Sequence, residues 1–209
     1  MHAERKLSPE FYIREDTAKI ARELLGKLLV VPDEGGHRVS GMIVETEAYL
    51  GIGDRAAHSY GGRRTGRNEI MYGAGGQVYV FFVYGMYYQF NAVAGPAEHP
   101  HAILIRAVEP VEGIEMIRER RGKMADHNLT SGPGKLCIAL GINRSFNGES
   151  LFGERSWIEN FRDISKAQIA VGKRIGIDYA GEDAQKPWRF WVRGNPFVSK
   201  PRLEISQQT

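Results

Sequence analysis

The sequence predicts an α+β fold: a single domain with a curved, mostly antiparallel sheet flanked by helices and a protruding β-hairpin. Three observations predict it. Strand-like runs outnumber helical ones, and no regular strand–helix–strand alternation appears. An aromatic-rich segment, Gln77 to Val93, breaks at Tyr84-Gly85, which is the pattern of two strands around a tight turn. The length, 209 residues, suits one domain that buries a full core without a disulfide or metal staple.

The elements follow in order. A helix begins at Ser8-Pro9 or at Asp16-Thr17, continues through Ile20, Ala21, Leu24 and Leu25 at helical spacing, and ends at Gly26. Lys27 to Val31 reads as a strand, Asp33 to Gly36 as a hairpin turn, and Arg38 to Tyr49 as the returning strand. The Gly- and Arg-rich stretch from Leu50 to Gly76 is long enough to suggest a functional loop. After the aromatic hairpin, Ala102 to Val108 is a strand and Pro110 to Arg121 a helix. Ser131-Gly132-Pro133 opens another helix through Leu140, and strands are expected near Ala167 to Ile177 and Arg189 to Val192. Residues 1–209 are expected to form one domain, with 1–6 and 200–209 irregular.

Composition narrows the function. With 42% hydrophobic, 25% charged and 10% aromatic residues, the chain is neither disordered, fibrous nor a coiled coil. A single cysteine, Cys137, rules out an intrachain disulfide and suits a reducing cytosol. Met1 to Glu10 lacks the apolar segment of a secretory signal, and Val78 to Tyr88 is too short to span a bilayer. A cytoplasmic location and no membrane partner are expected. The net charge of +3 is a mild bias toward polyanions. No dinucleotide fingerprint, phosphate-binding P-loop, zinc-protease motif or paired C-x-x-C occurs, and His99 with His101 makes half a metal site at best. Neither metal nor cofactor is expected.

Three groups of residues carry chemistry. In Glu45-Thr46-Glu47-Ala48-Tyr49, strand alternation puts Glu45, Glu47 and Tyr49 on one face. Two carboxylates beside an aromatic make a poor core. Like charges this close resist ionising together, which suits acid–base work; a solvated edge strand paired with arginines is the other reading. The loop around Ala56-Ala57-His58-Ser59 and Gly61 to Asn68, with Arg63, Arg64, Thr65 and Arg67, has the composition of a phosphate-contacting loop or of a basic surface loop. The hairpin gathers Tyr79, Phe81, Phe82, Tyr84, Tyr87, Tyr88 and Phe90. Tyr84-Gly85-Met86 at its tip suits a wedge that fills the space left by an extruded base.

Together these segments resemble the alkyladenine (3-methyladenine) DNA glycosylase family, in a bacterial form without the eukaryotic N-terminal extension. The resemblance rests on Ile43 to Leu50 (I-V-E-T-E-A-Y-L), Ala56 to Ser59, Arg63 to Asn68, Tyr84 to Tyr87, Leu104 to Pro110, Ser131 to Leu136, Ala180 to Glu182 and Lys186 to Phe190. It covers about Leu7 to Val198. It implies a monomeric, monofunctional base-excision-repair enzyme that binds double-stranded DNA containing a damaged purine and needs no obligate protein partner. The purine (3-methyladenine, 7-methylguanine, hypoxanthine or ethenoadenine class) is flipped out and its N-glycosidic bond hydrolysed, leaving an abasic site.

By the same resemblance, Glu47 is the general base, and Arg106 with the backbone carbonyl of Ile175 holds the attacking water. Tyr49, His58 and Phe81 sandwich the base, and Asn91 meets the position of guanine's exocyclic amine. Tyr84 is the wedge, with Gly85, Met86 and Tyr87 beside it; Arg63, Thr65, Arg67 and Lys135 complete the DNA-contacting set. Phe81 stands where eukaryotic members carry tyrosine, so a hydroxyl is missing from the pocket. Two other readings stay open on the residues alone. One is a non-catalytic nucleic-acid-binding module with an aromatic sheet. The other is a carbohydrate glycosidase using Glu45 and Glu47, roughly 6.5–7 Å apart on one strand face.

Overall fold

Nine of the ten residues in Ser40–Tyr49 are buried, a pattern that requires a strand covered on both faces. In the computed structural model, which describes residues 5–205, this strand is the middle of an eight-stranded sheet. The chain runs α1 (Pro9–Tyr12), α2 (Thr17–Glu23), β1 (Leu28–Val30), β2 (Ser40–Tyr49), β3 (Val78–Val83), β4 (Tyr87–Ala94) and β5 (His101–Glu112). It continues through α3 (Ile114–Arg121), α4 (Pro133–Leu140), β6 (Trp157–Glu159), β7 (Ile169–Gly172) and β8 (Arg189–Val192). The strand order is β3-β4-β5-β2-β1-β6, with β8 pairing to both β2 and β7, and every pairing is antiparallel. The predicted α+β class with an antiparallel sheet is what the chain forms.

Each helix has a local cause. Asp16 caps α2 by accepting a hydrogen bond from the Lys19 amide at 2.9 Å, and Ile20 and Ala21 turn into the core. The chain leaves that helix at Gly26, whose φ is +83°; a Cβ there would lie 2.3 Å from the Arg162 carbonyl oxygen. Pro133 occupies the first turn of α4, and Gly141 (φ +72°) ends it by donating to carbonyls of the last turn. Helices α2, α3 and α4 contribute to the main core through side chains such as Ile20, Ile117 and Leu136, which pack with Ile43, Ile103 and Ile105 from the sheet.

Two opposed bulges decide which side chains share a face. Ile43 pairs with Val108 but Glu45 with Ala107, so β2 carries an extra residue; Thr46 then pairs with Ile105, so β5 carries one in return. Strict alternation would put Glu45 and Glu47 on the face of Ile43, inside the main core. Instead Val44 and Ala107 join a second apolar cluster on the other side of the sheet, and Arg106 meets both glutamates. The carboxylates thereby leave the oily face without β2 leaving the sheet.

Several boundaries differ from expectation. Residues 110–112 are strand rather than helix: Pro110 sits opposite Gly41 at a register shift, where proline is tolerated, and Gly113 (φ +68°) turns the chain into α3. The strand expected over 167–177 stops at Gly172, freeing the next residues to reach the site. The aromatic hairpin closes through three residues, not two, because Val83 pairs with Tyr87. The short strand β6, which pairs with β1, had no distinct sequence signal. Of the expected irregular ends, 1–4 and 206–209 lie outside the described residues. Lys6 instead bridges to Glu159, and Leu7 donates to the Ile158 carbonyl.

Replacing Gly26 with alanine should lower stability by about 1–3 kcal/mol, through the positive φ and the clash with the Arg162 carbonyl. Urea unfolding would measure it; an unchanged midpoint would mean that the α2–β1 connection relaxes freely.

Candidate active site

Glu47 is fully buried, and three groups hold its carboxylate. The Ile175 amide donates to Oε1 at 2.7 Å, the Tyr49 hydroxyl donates to Oε2 at 2.9 Å, and Arg106 Nη1 lies 3.3 Å from Oε1. Tyr49, Arg106 and Ile175 all line one cavity of about 280 Å³, so the carboxylate sits one layer behind its wall. Burial, then the adjacent Glu47 charge, holds the Tyr49 hydroxyl well above its ordinary pKa, so it stays a proton donor.

Glu45 has a different environment. It accepts from Arg106 Nε at 2.8 Å, Arg189 Nε at 2.7 Å, and the Ser199 amide and hydroxyl at 2.8 and 2.9 Å. Burial pushes its pKa up, but the Arg106 and Arg189 charges outweigh that and hold it below the usual carboxylate value. Glu45 is thus a fixed anion held by four donors, and it does not line the cavity. The carbohydrate-glycosidase reading, which needs a second carboxylate able to give or take a proton, loses it, because Glu45 is held ionised by Arg106, Arg189 and Ser199. The edge-strand reading fails as well, because both glutamates lie on a central strand.

The segment that reaches Glu47 is itself anchored. Arg174, one residue before Ile175, grips Asp54 with Nη1 and Nη2 at 2.5 and 2.8 Å and donates to the Ala48 and Asp183 carbonyls. Its guanidinium lies over the rings of Tyr49 and Trp188, 4.7 and 4.9 Å from their centroids. Neither Arg174 nor Asp54 stood out in the sequence. Nothing in their local pattern marks two residues 120 positions apart as partners.

His58, Phe81 and Tyr79 form an aromatic corner of the cavity. His58 is edge-on to Phe81 with centroids 4.6 Å apart, and its Nδ1 is 2.8 Å from the Tyr79 hydroxyl. Burial, reinforced by the positive charges of Arg67 and Arg63, lowers the His58 pKa to about 4. The Asn91 side chain is buried and donates from Nδ2 to the Tyr79 carbonyl at 3.0 Å. Asn68 joins this corner to the basic loop. It donates to the His58 and Arg63 carbonyls and accepts from the Thr65 amide and hydroxyl.

Around the cavity mouth the surface is aromatic and basic. Tyr84 is 80% exposed with φ +52°, an outlier for a bulky residue, and Met86 is 62% exposed. The hairpin is braced at Tyr87, which lies so close to Gly134 of α4 that a Cβ there would come within 2.8 Å of the ring. Tyr179, 73% exposed, lies at the rim and was not singled out by the sequence. A neighbouring cleft is lined by Arg55, Tyr60, Arg63, Thr65 and Arg67, and shares His58 and Tyr179 with the first cavity.

The structure brings Tyr49, His58, Phe81, Asn91, Arg106, Ile175 and Tyr84 to one cavity, with Arg63, Thr65 and Arg67 beside it. Three residues have contacts that the sequence did not show. Ile175, expected to hold the water through its carbonyl, also meets Glu47 through its amide. Arg64, read with its neighbours as a phosphate ligand, is instead bound to Glu69 and Glu98 and stacked on Tyr72, so it braces the loop. Lys135 lies outside both cavities, with Nζ 3.4 Å from the Ser131 hydroxyl. Among the described residues no cluster of three or more His, Cys, Asp or Glu side chains could hold a metal ion, and no helix is long and apolar enough to cross a membrane.

The sequence pattern of the family described as methylpurine-DNA glycosylase matches residues 10–196. The chain is also 50% identical to each of three bacterial proteins provisionally named 3-methyladenine DNA glycosylase. That of Desulfitobacterium hafniense (strain Y51) aligns over 203 residues, 93% of this chain and 98% of the relative. Those of Bacillus thuringiensis (strain Al Hakam) and Clostridium acetobutylicum align over 202 residues each, covering 92% and 93% of this chain and 98% and 97% of the relatives.

The depressed His58 pKa has a consequence for stability. Between its ordinary value of 6.5 and about 4, the unfolded chain binds a proton that the folded chain refuses, so stability falls as pH drops through that window. His58→Asn should therefore lose less stability than wild type between pH 7 and pH 4.5. Urea midpoints at the two pH values would measure it; equal losses would show that His58 contributes nothing to the acid limb.

Proposed function

This chain belongs to the methylpurine-DNA glycosylase family and is a monofunctional DNA glycosylase; from that premise we propose that it flips an alkylated or deaminated purine out of duplex DNA and hydrolyses its N-glycosidic bond with a water activated by Glu47. The observation that carries this reading is the buried Glu47 carboxylate, oriented by Tyr49, Arg106 and Ile175 directly behind an aromatic-walled cavity. A protein that only binds a polyanion gains nothing from such a carboxylate. The genome-bearing compartment is where the reaction belongs.

Arg106 and the Ile175 amide both meet Oε1, whereas Oε2 is met by the Tyr49 hydroxyl. We assign Oε2 as the oxygen that takes the water's proton, reached when the entering nucleotide turns the Tyr49 hydroxyl aside. Hydrogen bonds at catalytic groups commonly rearrange in this way between the free and bound states. The water oxygen bonds to C1′ of the sugar, its proton passes to Glu47, and the electrons of the C1′–N bond leave with the base. Positive charge building on the sugar faces a site whose Glu45 and Glu47 balance Arg106 and Arg189. Phe81, Tyr49 and His58 offer stacking surfaces for the flipped base, and Tyr84 with Met86 would occupy the gap it leaves. Arg63 and Thr65 supply the backbone contacts, Gly85 and Tyr87 shape the probe, and Lys135 remains an outlying DNA contact; Arg67, expected among the backbone contacts, instead lies over the Phe81 ring.

A Glu47→Gln variant should still bind a duplex carrying one hypoxanthine but release the base about 10²-fold or more slowly in single-turnover assays. Retained release would remove Glu47 from the chemistry; no release by wild type from any damaged purine duplex would overturn the proposed substrate class. The pH dependence is the second check. A cationic purine such as 7-methylguanine departs without gaining a proton, whereas hypoxanthine needs one. Release of 7-methylguanine should therefore show a single rising limb and release of hypoxanthine a bell. Identical profiles would contradict this.

A further inference from the structure

The Phe81 ring has two environments. It lines the cavity assigned to the flipped base, and the Arg67 guanidinium lies over it, 5.3 Å from the ring centroid. Arg67 lines the neighbouring cleft and not the base cavity, which puts its charge behind the wall that the base would stack on. Its charge reaches the other two members of the aromatic corner: it helps to lower the His58 pKa, as Arg63 also does, and it opposes the rise that burial causes at the Tyr79 hydroxyl. No carboxylate pairs with Arg67 among the described residues, whereas Arg64, three positions earlier, is bound by two.

From this geometry we infer that Arg67 is a specificity-determining residue that sets the pocket against cationic purines and in favour of neutral ones. The inference rests on the glycosylase reading above and deepens it. An aromatic ring attracts a cation through its electron-rich face. A guanidinium over Phe81 already draws on that density and adds its own repulsion across the ring. As each base enters, 7-methylguanine carries one positive charge to this wall and hypoxanthine carries none. Arg67 therefore opposes entry of the first by one charge–charge interaction that the second does not feel. At about 8–10 Å and an effective dielectric of about 20–40, that interaction shifts the balance between the two bases by several-fold or more. An electron-rich aromatic corner alone would predict the opposite preference. The missing hydroxyl at Phe81 sharpens the effect, since that ring offers a base stacking but no hydrogen bond.

The test compares two duplexes of identical sequence, one with 7-methylguanine and one with hypoxanthine, under single-turnover conditions with enzyme in excess. Arg67→Met should raise the ratio of the 7-methylguanine rate to the hypoxanthine rate by about 4- to 30-fold. Arg67→Lys, which keeps the charge, should leave the ratio within about twofold of wild type. Arg63→Ala removes a cation that reaches His58 but does not lie over Phe81; it should weaken binding to both duplexes and raise the ratio less than Arg67→Met does. An unchanged ratio in Arg67→Met, or an equal rise in Arg63→Ala, would overturn the inference while leaving the glycosylase reading intact. Wild-type protein that releases neither base would instead remove the reading on which the inference rests.

Discussion

Arg106 lies between two carboxylates that are buried with it in the middle of the sheet. Its Nε meets Glu45 and its Nη1 meets Glu47, and all three side chains are buried. Taking one of these groups out of water alone would cost several kcal/mol, and removing one partner of such a set leaves the others uncompensated. The site's construction follows from that constraint. The opposed bulges in β2 and β5 are the backbone's means of bringing Arg106 and both glutamates to the same face. Arg189, from β8, supplies the second cation that balances the charge. The chain near Ser199 closes over Glu45 with an amide and a hydroxyl, and Arg189 in turn donates to the Ser199 and Pro201 carbonyls. Sheet centre and C-terminal segment are thereby one electrostatic unit.

The two glutamates illustrate how neighbours on one strand acquire different work. Glu45 receives only fixed donors and is held ionised; it orients Arg106 and the chain around Ser199. Glu47 has one oxygen bound by the Arg106 and Ile175 pair and the other by a phenol, the more easily displaced of these partners. The division does not come from the residues, which are chemically the same. It comes from which segments reach them: β8 and the chain near Ser199 for one, the turn after β7 for the other.

Much of this was legible in the sequence, and the failures share a cause. A period of two was enough to group Glu45, Glu47 and Tyr49, and Ser131-Gly132-Pro133 announced α4 correctly. The bulges were not legible, because an extra residue leaves the alternation on either side looking normal. Pro110 looked like a helix start because its tolerance at a strand irregularity depends on the partner strand. Arg64 and Arg67 carry the same local signal in a basic loop; only folding reveals that one is neutralised by Glu69 and Glu98 while the other lies over Phe81. Arg174 was missed for the same reason, since its partners Asp54, Tyr49 and Trp188 come from separate parts of the chain. Which charge meets which partner is decided by three-dimensional pairing and not by the local pattern.

The backbone at Tyr84 bears on search kinetics. A tyrosine held at φ +52° carries strain of order 1–3 kcal/mol, and the folded hairpin sustains it through the β3–β4 pairing and the contact of Tyr87 with α4. The ring is thus held out before any duplex arrives. If the tip enters DNA as proposed, interrogation of a base pair requires no loop to fold first, and the ordering entropy is already spent. The time per tested base pair is then governed by how readily that pair opens and by how long the basic cleft stays on the backbone. A sound pair resists the probe and the protein moves on, whereas a weakened pair yields within the same encounter.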